Sequence, residues 1–133
     1  MRYLLDTHVL LWLAYEDTKL SQPAREILLN PENQIFLSAV SFWEISLKFQ
    51  SRKLDLKGHN PETLKSGFDQ FYNFQELDLD MADAASFYML DSPIHKDPFD
   101  RMLIWQAIQH DLSFLTDDEN IKRYREIGLK VVW

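Results

Sequence analysis

The chain of 133 residues is 46% hydrophobic, 26% charged and 14% aromatic, enough apolar residues to bury one core and unlike a disordered or low-complexity protein. Fourteen Lys and Arg against 21 Asp and Glu give a net charge of −7, which argues against nonspecific nucleic-acid binding through a basic surface, though not against a nuclease that gathers carboxylates around metal ions. The absence of Cys excludes disulfides and thiolate metal sites. No apolar run approaches the ~20 residues that span a bilayer, and Asp6 comes too early for a signal peptide, so we expect a cytoplasmic protein without a membrane segment.

Short apolar runs predict β-strands along the whole chain. They lie at residues 3–5, 34–37, 112–115 and 130–133, with a weaker run at 74–79. No repeat, flexible linker or shift in composition separates a second domain. We therefore expect one domain over residues 1–133.

Helix signals fill the intervals between these strands. Side chains typical of N-caps stand shortly before a Pro at Ser21, Asn60 and Asp97. Ser41 and Glu44 have the spacing of a capping box, and residues 82–90 predict a helix packed tightly on the sheet. Strands alternating with helices predict an α/β doubly wound sandwich, with a central parallel sheet of about five strands flanked by helices.

Carboxylates follow the predicted strands at one edge of this sheet. Asp6 directly follows the first strand, and Asp117 and Asp118 follow the strand that ends at residue 115. Glu44 and Asp100 fall in the first turns of helices that begin at the same edge. Because ligands of open α/β sheets bind outside the carboxyl ends of the strands, we predict a metal site there. Its ligands would be Asp6, Glu44, Asp100 and Asp118, holding one or two Mg²⁺ or Mn²⁺ ions through oxygen alone.

Most of these acids also have a structural explanation. Glu44 can complete a capping box, and Asp97 can cap the helix that carries Asp100. Asp117 or Asp118 can cap the last helix. Asp6 resists such an explanation, because an acid at the end of a buried strand is costly to bury without a partner or a metal. The acids taken together favour the metal site over the separate explanations.

Four ordered segments carry a resemblance to a known family. They are DTHVLLW at residues 6–12, SAVSFWEI at 38–45, HKDPFDRML at 95–103 and LTDD at 115–118. In this order they resemble PIN-domain proteins, and the match is closest to the VapC-like toxins of bacterial toxin–antitoxin pairs. The resemblance implies a Mg²⁺- or Mn²⁺-dependent endoribonuclease, often a homodimer, held inactive by a small antitoxin protein.

The resemblance also assigns roles to residues of this chain. The four acids of the family correspond to Asp6, Glu44, Asp100 and Asp118. The fourth usually follows a Thr by two positions, which favours Asp118 after Thr116 and leaves Asp117 the less favoured occupant. Supporting roles fall to the side chains beside the acids, Thr7, Thr116, Asp97 and Asp117.

Two cations near the acids are the predicted contacts to RNA phosphate. Lys48 lies one helical turn after Glu44, and Arg101 follows Asp100. A helix salt bridge explains the Glu44 and Lys48 spacing equally well. His8 and His95 are left outside the metal shell, because a site built from oxygen has little need of imidazole.

Two further expectations concern partners and alternatives. Six aromatic residues lie in the middle third of the chain: Phe68, Phe71, Tyr72, Phe74, Phe87 and Tyr88. They suggest a homodimer whose interface buries some of them. The alternative is that all six belong to the core. The competing function is a noncatalytic PIN-like module or a receiver-like α/β binding module. A receiver would need a pair of acids after the first strand, where this chain has Asp6 alone.

Overall fold

The computed structural model describes residues 1–91, 94 and 97–133, and so leaves out His95 and Lys96 of the HKDPFDRML segment. Within the described residues there are five β-strands: β1 Arg2–Leu5, β2 Gln34–Ser38, β3 Gln75–Leu77, β4 Ser113–Leu115 and β5 Val131–Val132. The same residues form seven α-helices: α1 Thr7–Tyr15, α2 Gln22–Leu29, α3 Ala39–Gln50, α4 Pro61–Phe71, α5 Met81–Ser86, α6 Pro98–Gln109 and α7 Glu119–Lys122. Among them is no helix both long enough and apolar enough to cross a membrane.

The strands form one parallel sheet in the order β3-β2-β1-β4-β5. This confirms the predicted α/β class and places a strand at each predicted apolar run. From β1 the chain first builds outward through β2 and β3, then returns to build the other side through β4 and β5. The strand order therefore reverses between β1 and β4, the position where open α/β sheets bind their ligands.

The core lies in two layers, one on each face of the sheet. Tyr3 and Leu5 pack with Leu115 on one face, whereas Leu4 and Phe114 pack on the other. This alternation follows from the two-residue period of a strand, since neighbouring side chains point to opposite faces. Both faces are apolar because helices cover both, as parallel sheets require.

Three of the predicted helix starts are confirmed and one is wrong. Ser21, Asn60 and Asp97 each accept a hydrogen bond from a backbone N–H of the helix that follows. The expected capping box of Ser41 and Glu44 does not form, because α3 begins three residues earlier with Ser38 as its N-cap. β2 runs directly into this helix, so Ser41 lies inside it and Glu44 lies in its second turn instead of its first.

The segment 82–90 also differs from its prediction. It divides into α5 and a 3₁₀ turn, Phe87–Met89, and its Ala residues are exposed. α5 is held against α6 instead of the sheet: the Trp105 indole N–H donates to Ser86 Oγ at 3.1 Å, and His110 Nε2 lies 2.6 Å from Asp83 Oδ2. Small side chains offer little apolar surface to bury, so polar contacts hold this helix in place.

Candidate active site

Asp6 stands at the switch point between β1 and β4. Its backbone N–H donates to the Leu115 carbonyl at 3.1 Å, which extends the pairing of the two strands by one residue. The side chain is 2% exposed, and its Oδ2 accepts a hydrogen bond from Thr116 Oγ1 at 2.6 Å. A buried carboxylate is thus anchored at the carboxyl ends of both central strands.

Glu44 reaches the same edge from α3. Its side chain is buried, and Oε2 accepts from Lys48 Nζ at 2.6 Å. Within residues 1–91, 94 and 97–133, Glu44 Oε1 is the one buried side-chain oxygen or nitrogen without a hydrogen-bond partner. Such an orphaned acceptor costs free energy unless something positive satisfies it.

Asp100 lies in the first turn of α6, which Asp97 caps through hydrogen bonds from the backbone N–H groups of Phe99 and Asp100 at 2.9 and 3.1 Å. Burial raises the pKa of Asp100 to about 8, helped by repulsion from neighbouring carboxylates, those of Asp6, Asp97, Glu44 and Asp118. The other three sequence-predicted acids therefore act electrostatically on Asp100, although the four come from separate segments of the chain.

The two acids after β4 take different positions. Asp118 is the N-cap of α7, where its Oδ1 accepts from the Asn120 N–H at 2.8 Å, and its own N–H donates to Thr116 Oγ1 at 3.1 Å. Asp117 instead lies with its Oδ1 2.7 Å from His8 Nε2. Asp118, and not Asp117, is among the acids that raise the pKa of Asp100. The capping role foreseen for one of these acids is confirmed for Asp118.

His8 is the residue that sequence reasoning undervalued. Its Nδ1 lies 3.1 Å from Asp6 Oδ2, while its Nε2 faces Asp117. Burial lowers the pKa of this imidazole, but the hydrogen bonds and charges of the two acids outweigh burial and raise the pKa to about 9. The available signal was its place two residues after Asp6; the contact with Asp117 spans 109 residues and is invisible in a single sequence.

The two predicted substrate contacts, Lys48 and Arg101, differ in the contacts that they make within the protein. Lys48 is about half exposed. Its hydrogen bond with Glu44 raises its pKa, which burial alone would lower. The charges of Glu44, Asp97 and Asp100 raise it further. Arg101 donates from Nη2 to the Leu90 carbonyl at 2.9 Å. Lys48 is therefore the cation held at the acids, whereas the Arg101 guanidinium is engaged with the segment that precedes α6.

The spacing of the four acids is wider than that of metal ligands. No three of them bring carboxylate oxygens within 4.8 Å of one another; in the described part of the chain, the group that does so is Asp80, Asp83 and His110. That group lies at the far end of α6, where Arg2 Nη1 also donates to the His110 carbonyl at 3.0 Å. It belongs to the contact between α5 and α6, at the edge of the sheet opposite the four acids.

The four acids nevertheless fit a hard divalent cation. Glu44 offers a buried oxygen without a partner, and Asp100 carries a pKa raised by burial and by the charges around it. An all-oxygen donor set of this kind suits Mg²⁺ or Mn²⁺ better than a softer metal.

Comparisons with known proteins agree with this fold. Ribonuclease VapC22 of Mycobacterium tuberculosis is 24% identical to the chain over 130 residues, covering 98% of this chain and 97% of that protein. VapBC2 from Rickettsia felis, solved bound to a DNA fragment from their promoter, superposes with a TM-score of 0.69 at 18% identity, covering 99% of this chain and 98% of that one. DNA-bound VapBC from Salmonella typhimurium gives 0.67, also at 18% identity, with 99% and 97% covered. The family model of the PIN domain matches residues 3–127, and the chain therefore belongs to the PIN domain family.

Proposed function

We propose that this protein is a metal-dependent endoribonuclease and the toxin of a toxin–antitoxin pair. The observation that carries the proposal is the surrounding of Asp100 by the carboxylates of Asp6, Glu44 and Asp118 at the strand-order switch of a PIN fold. The similarity over almost the full length to a protein named as a ribonuclease supports the choice of reaction.

Asp6, Glu44, Asp100 and Asp118 are the residues that would hold Mg²⁺ or Mn²⁺. When bound, such a cation supplies Lewis acidity that activates water and neutralises charge on the leaving 3′ oxygen of a phosphodiester. In this proposal the carboxylates bind the cation and do not attack the substrate themselves. The choice between Mg²⁺ and Mn²⁺ rests on the oxygen donors alone.

The supporting residues hold these carboxylates in place. Thr116 donates to Asp6 and accepts from the Asp118 N–H, so one hydroxyl fixes two acids. Asp97 caps α6 and so orients the turn that carries Asp100. Thr7 Oγ1 donates to Ser41 Oγ at 2.9 Å, which ties α1 to α3 beneath the site. Such outer contacts set the geometry of metal-binding side chains.

Cleavage of RNA by the pure chain is the direct test. Total cellular RNA incubated with Mn²⁺ should be cut into fragments with mapped, recurring ends, and a chelator should stop the reaction. A chain that binds Mn²⁺ yet leaves RNA intact at every concentration would instead be the noncatalytic PIN-like module. If the chain is a toxin, a neighbouring reading frame should encode its antitoxin, and adding that protein should suppress the cleavage.

Replacing Lys48 should weaken RNA binding more than it weakens catalysis. In Lys48→Met we expect KM to rise about tenfold with kcat nearly unchanged, and the slope of log affinity against log salt to fall by about one, as for the loss of one phosphate contact. Lys65→Met is the matched control, because Lys65 is also ion-paired on a helix but contacts Asp69 and Glu76. Equal KM values for the two variants would mean that Lys48 does not contact RNA and that its pair with Glu44 is only a helix salt bridge. Arg101 is the second proposed contact, with a smaller expected effect because its guanidinium is engaged with Leu90.

The proposed protein partner is a small antitoxin. Its support is that the solved structures resembling this chain include a toxin–antitoxin complex from Klebsiella pneumoniae, which covers 98% of this chain with a TM-score of 0.60. The net charge of −7 and the acids at the switch point suit a basic segment of such a partner, and an Arg guanidinium can bond two carboxylates at once.

We also propose a homodimer. Of the aromatic residues in the middle third, Phe68 is buried, but Phe71 and Tyr88 are 75% and 82% exposed, so these two are not core. Exposed rings of this size are typical of association surfaces. Light scattering at micromolar concentration should give about twice the 15.8 kDa of one chain. A monomeric mass would contradict the dimer without touching the proposed reaction.

The remaining proposals concern organisation and location. Residues 1–133 are proposed to act as a single domain, supported by two core layers that share one sheet and by a family match over 3–127. A cytoplasmic location is proposed from the proposed RNA substrate and from a chain without Cys, which needs no oxidising compartment.

A further inference from the structure

His8 links the carboxyl ends of β1 and β4 through two acids. Its Nδ1 lies 3.1 Å from Asp6 Oδ2, and its Nε2 lies 2.7 Å from Asp117 Oδ1. The ring is also held edge-on by Trp12, with centroids 4.7 Å apart. An imidazole fixed at both nitrogens and on its side has little freedom to turn.

A second link runs parallel to the first. Thr116, the neighbour of Asp117, donates its hydroxyl hydrogen bond to the same oxygen of Asp6 at 2.6 Å. Asp6, His8, Asp117 and Thr116 therefore form a closed circuit across the switch point, in which the chain itself joins the last two. Since both links use Asp6 Oδ2, the other oxygen of this carboxylate is left for a cation.

The circuit also determines which acid follows Thr116 into the site. With Asp117 held by His8, the next residue donates its N–H to Thr116 Oγ1 at 3.1 Å and starts α7. That residue, Asp118, is the one whose charge acts on Asp100. Asp117 and Asp118 are adjacent in the sequence, so the contact of His8 with Asp117 also constrains the position of Asp118.

We propose that His8 is a positioning residue of the active site. It holds Asp117 out of the metal-binding set, presents Asp118 as the fourth acid and orients Asp6. This inference rests on the proposed function, because it assumes that the four acids bind the catalytic cation. The competing explanation is a partly exposed ion pair without influence on the site, and such pairs are weak.

A double-mutant cycle on Mn²⁺ affinity separates the two. His8→Ala and Asp117→Ala should each lower the affinity measured by calorimetry about 10-fold to 100-fold, as for other residues that orient metal ligands. The double variant should lose no more than the worse single variant, because either change opens the same circuit. His8→Gln, which keeps an amide N–H donor, should recover part of the loss. Effects that simply multiply in the double variant would overturn the proposal.

Asp117→Asn and Asp118→Asn supply the second arm. The amide oxygen of Asp117→Asn still accepts from His8, so Mn²⁺ affinity should stay within about threefold of the unmodified chain, whereas Asp118→Asn should lose at least about 100-fold. Equal losses in the two would make Asp117 a ligand and overturn the proposal.

Lys130→Ala is the control, since Lys130 also pairs with an Asp, Asp111, at 2.8 Å, at the opposite edge of the sheet and outside the group of Asp80, Asp83 and His110. Its Mn²⁺ affinity should be unchanged. Circular dichroism of each variant without metal identifies any that fail to fold, and for those the Gln and Asn variants decide. Calorimetry reports on the circuit even if the chain cleaves no RNA, so failure of the proposed function and failure of this inference give different results.

Discussion

Asp100→Asn is expected to abolish RNA cleavage, lowering kcat/KM by at least about 100-fold, because even outer residues of metal sites typically cost 10-fold to 100-fold and Asp100 is proposed to bind the cation directly. The amide keeps the size of the side chain and one acceptor oxygen but cannot supply the negative charge that holds a divalent ion. The loss should appear in kcat and in the affinity for Mn²⁺, with the circular dichroism spectrum unchanged.

The same substitution should not destabilise the protein without metal. Burial, then the charges of Asp6, Asp97, Glu44 and Asp118, raise the pKa of Asp100 to about 8. An acid with a raised pKa binds its proton more tightly in the folded state, so its contribution to stability is full below the unfolded pKa of about 3.9 and is lost as pH rises through about 8. Above that pH the unmodified chain carries the repulsion that Asp100→Asn lacks.

Urea unfolding without metal measures this difference. The variant should gain stability relative to the unmodified chain between pH 5 and pH 9, in the direction set by the lost repulsion. Glu119→Gln is the control, because Glu119 is an exposed acid next to Asp118 and should change neither cleavage nor the pH dependence. Unimpaired cleavage by Asp100→Asn would remove this residue from the proposed metal site.

The strands and the edge that carries the acids were predictable because both follow from local patterns. A buried parallel strand is a short continuous apolar run, and each of the five runs predicted as strands overlaps one. Once the strands are parallel, their carboxyl ends share an edge, so Asp6 and Asp118 were expected at the same edge. Their closeness follows from the adjacency of β1 and β4, which the structure shows. The resemblance to PIN domains added the assignment of Glu44 and Asp100.

The start of α3 was not predictable by the same means. Ser41 followed by Glu44 has the spacing of a capping box, and nothing local distinguishes it from a Ser inside a helix. The structure uses Ser38 because β2 continues into α3 without a loop, which is a consequence of strand length and sheet register. The result moves Glu44 into the buried second turn, where its carboxylate faces Lys48.

Contacts between distant segments account for the rest. The partnership of His8 with Asp117 and the pairing of Asp83 with His110 join residues 109 and 27 positions apart. Each requires two elements to be placed before the side chains can meet. A histidine beside an acid in the sequence is common, so its role depends on the second acid that the fold brings to it.

Binding of Mn²⁺ should strengthen with pH about tenfold per unit between roughly pH 5 and 8, then level off. Below a pKa of about 8, Asp100 holds a proton that the cation must displace, and each proton displaced makes the affinity proportional to the inverse of the proton concentration. His8, with its pKa raised to about 9, keeps its charge over most of this range and should add little to the slope.

Calorimetry in two buffers of different ionisation enthalpy counts the protons released. Near pH 6 the count should approach one for the unmodified chain, and the affinity should be about 50-fold weaker than at pH 8, where half of the Asp100 carboxyls are already ionised. Asp100→Asn should show weak binding that barely changes with pH, because the titrating carboxyl is gone. Equal affinity of the unmodified chain at pH 6 and pH 8 would mean that Mn²⁺ does not displace a proton from Asp100. The cation would then have to bind through the other acids, with Asp100 acting on it only through space.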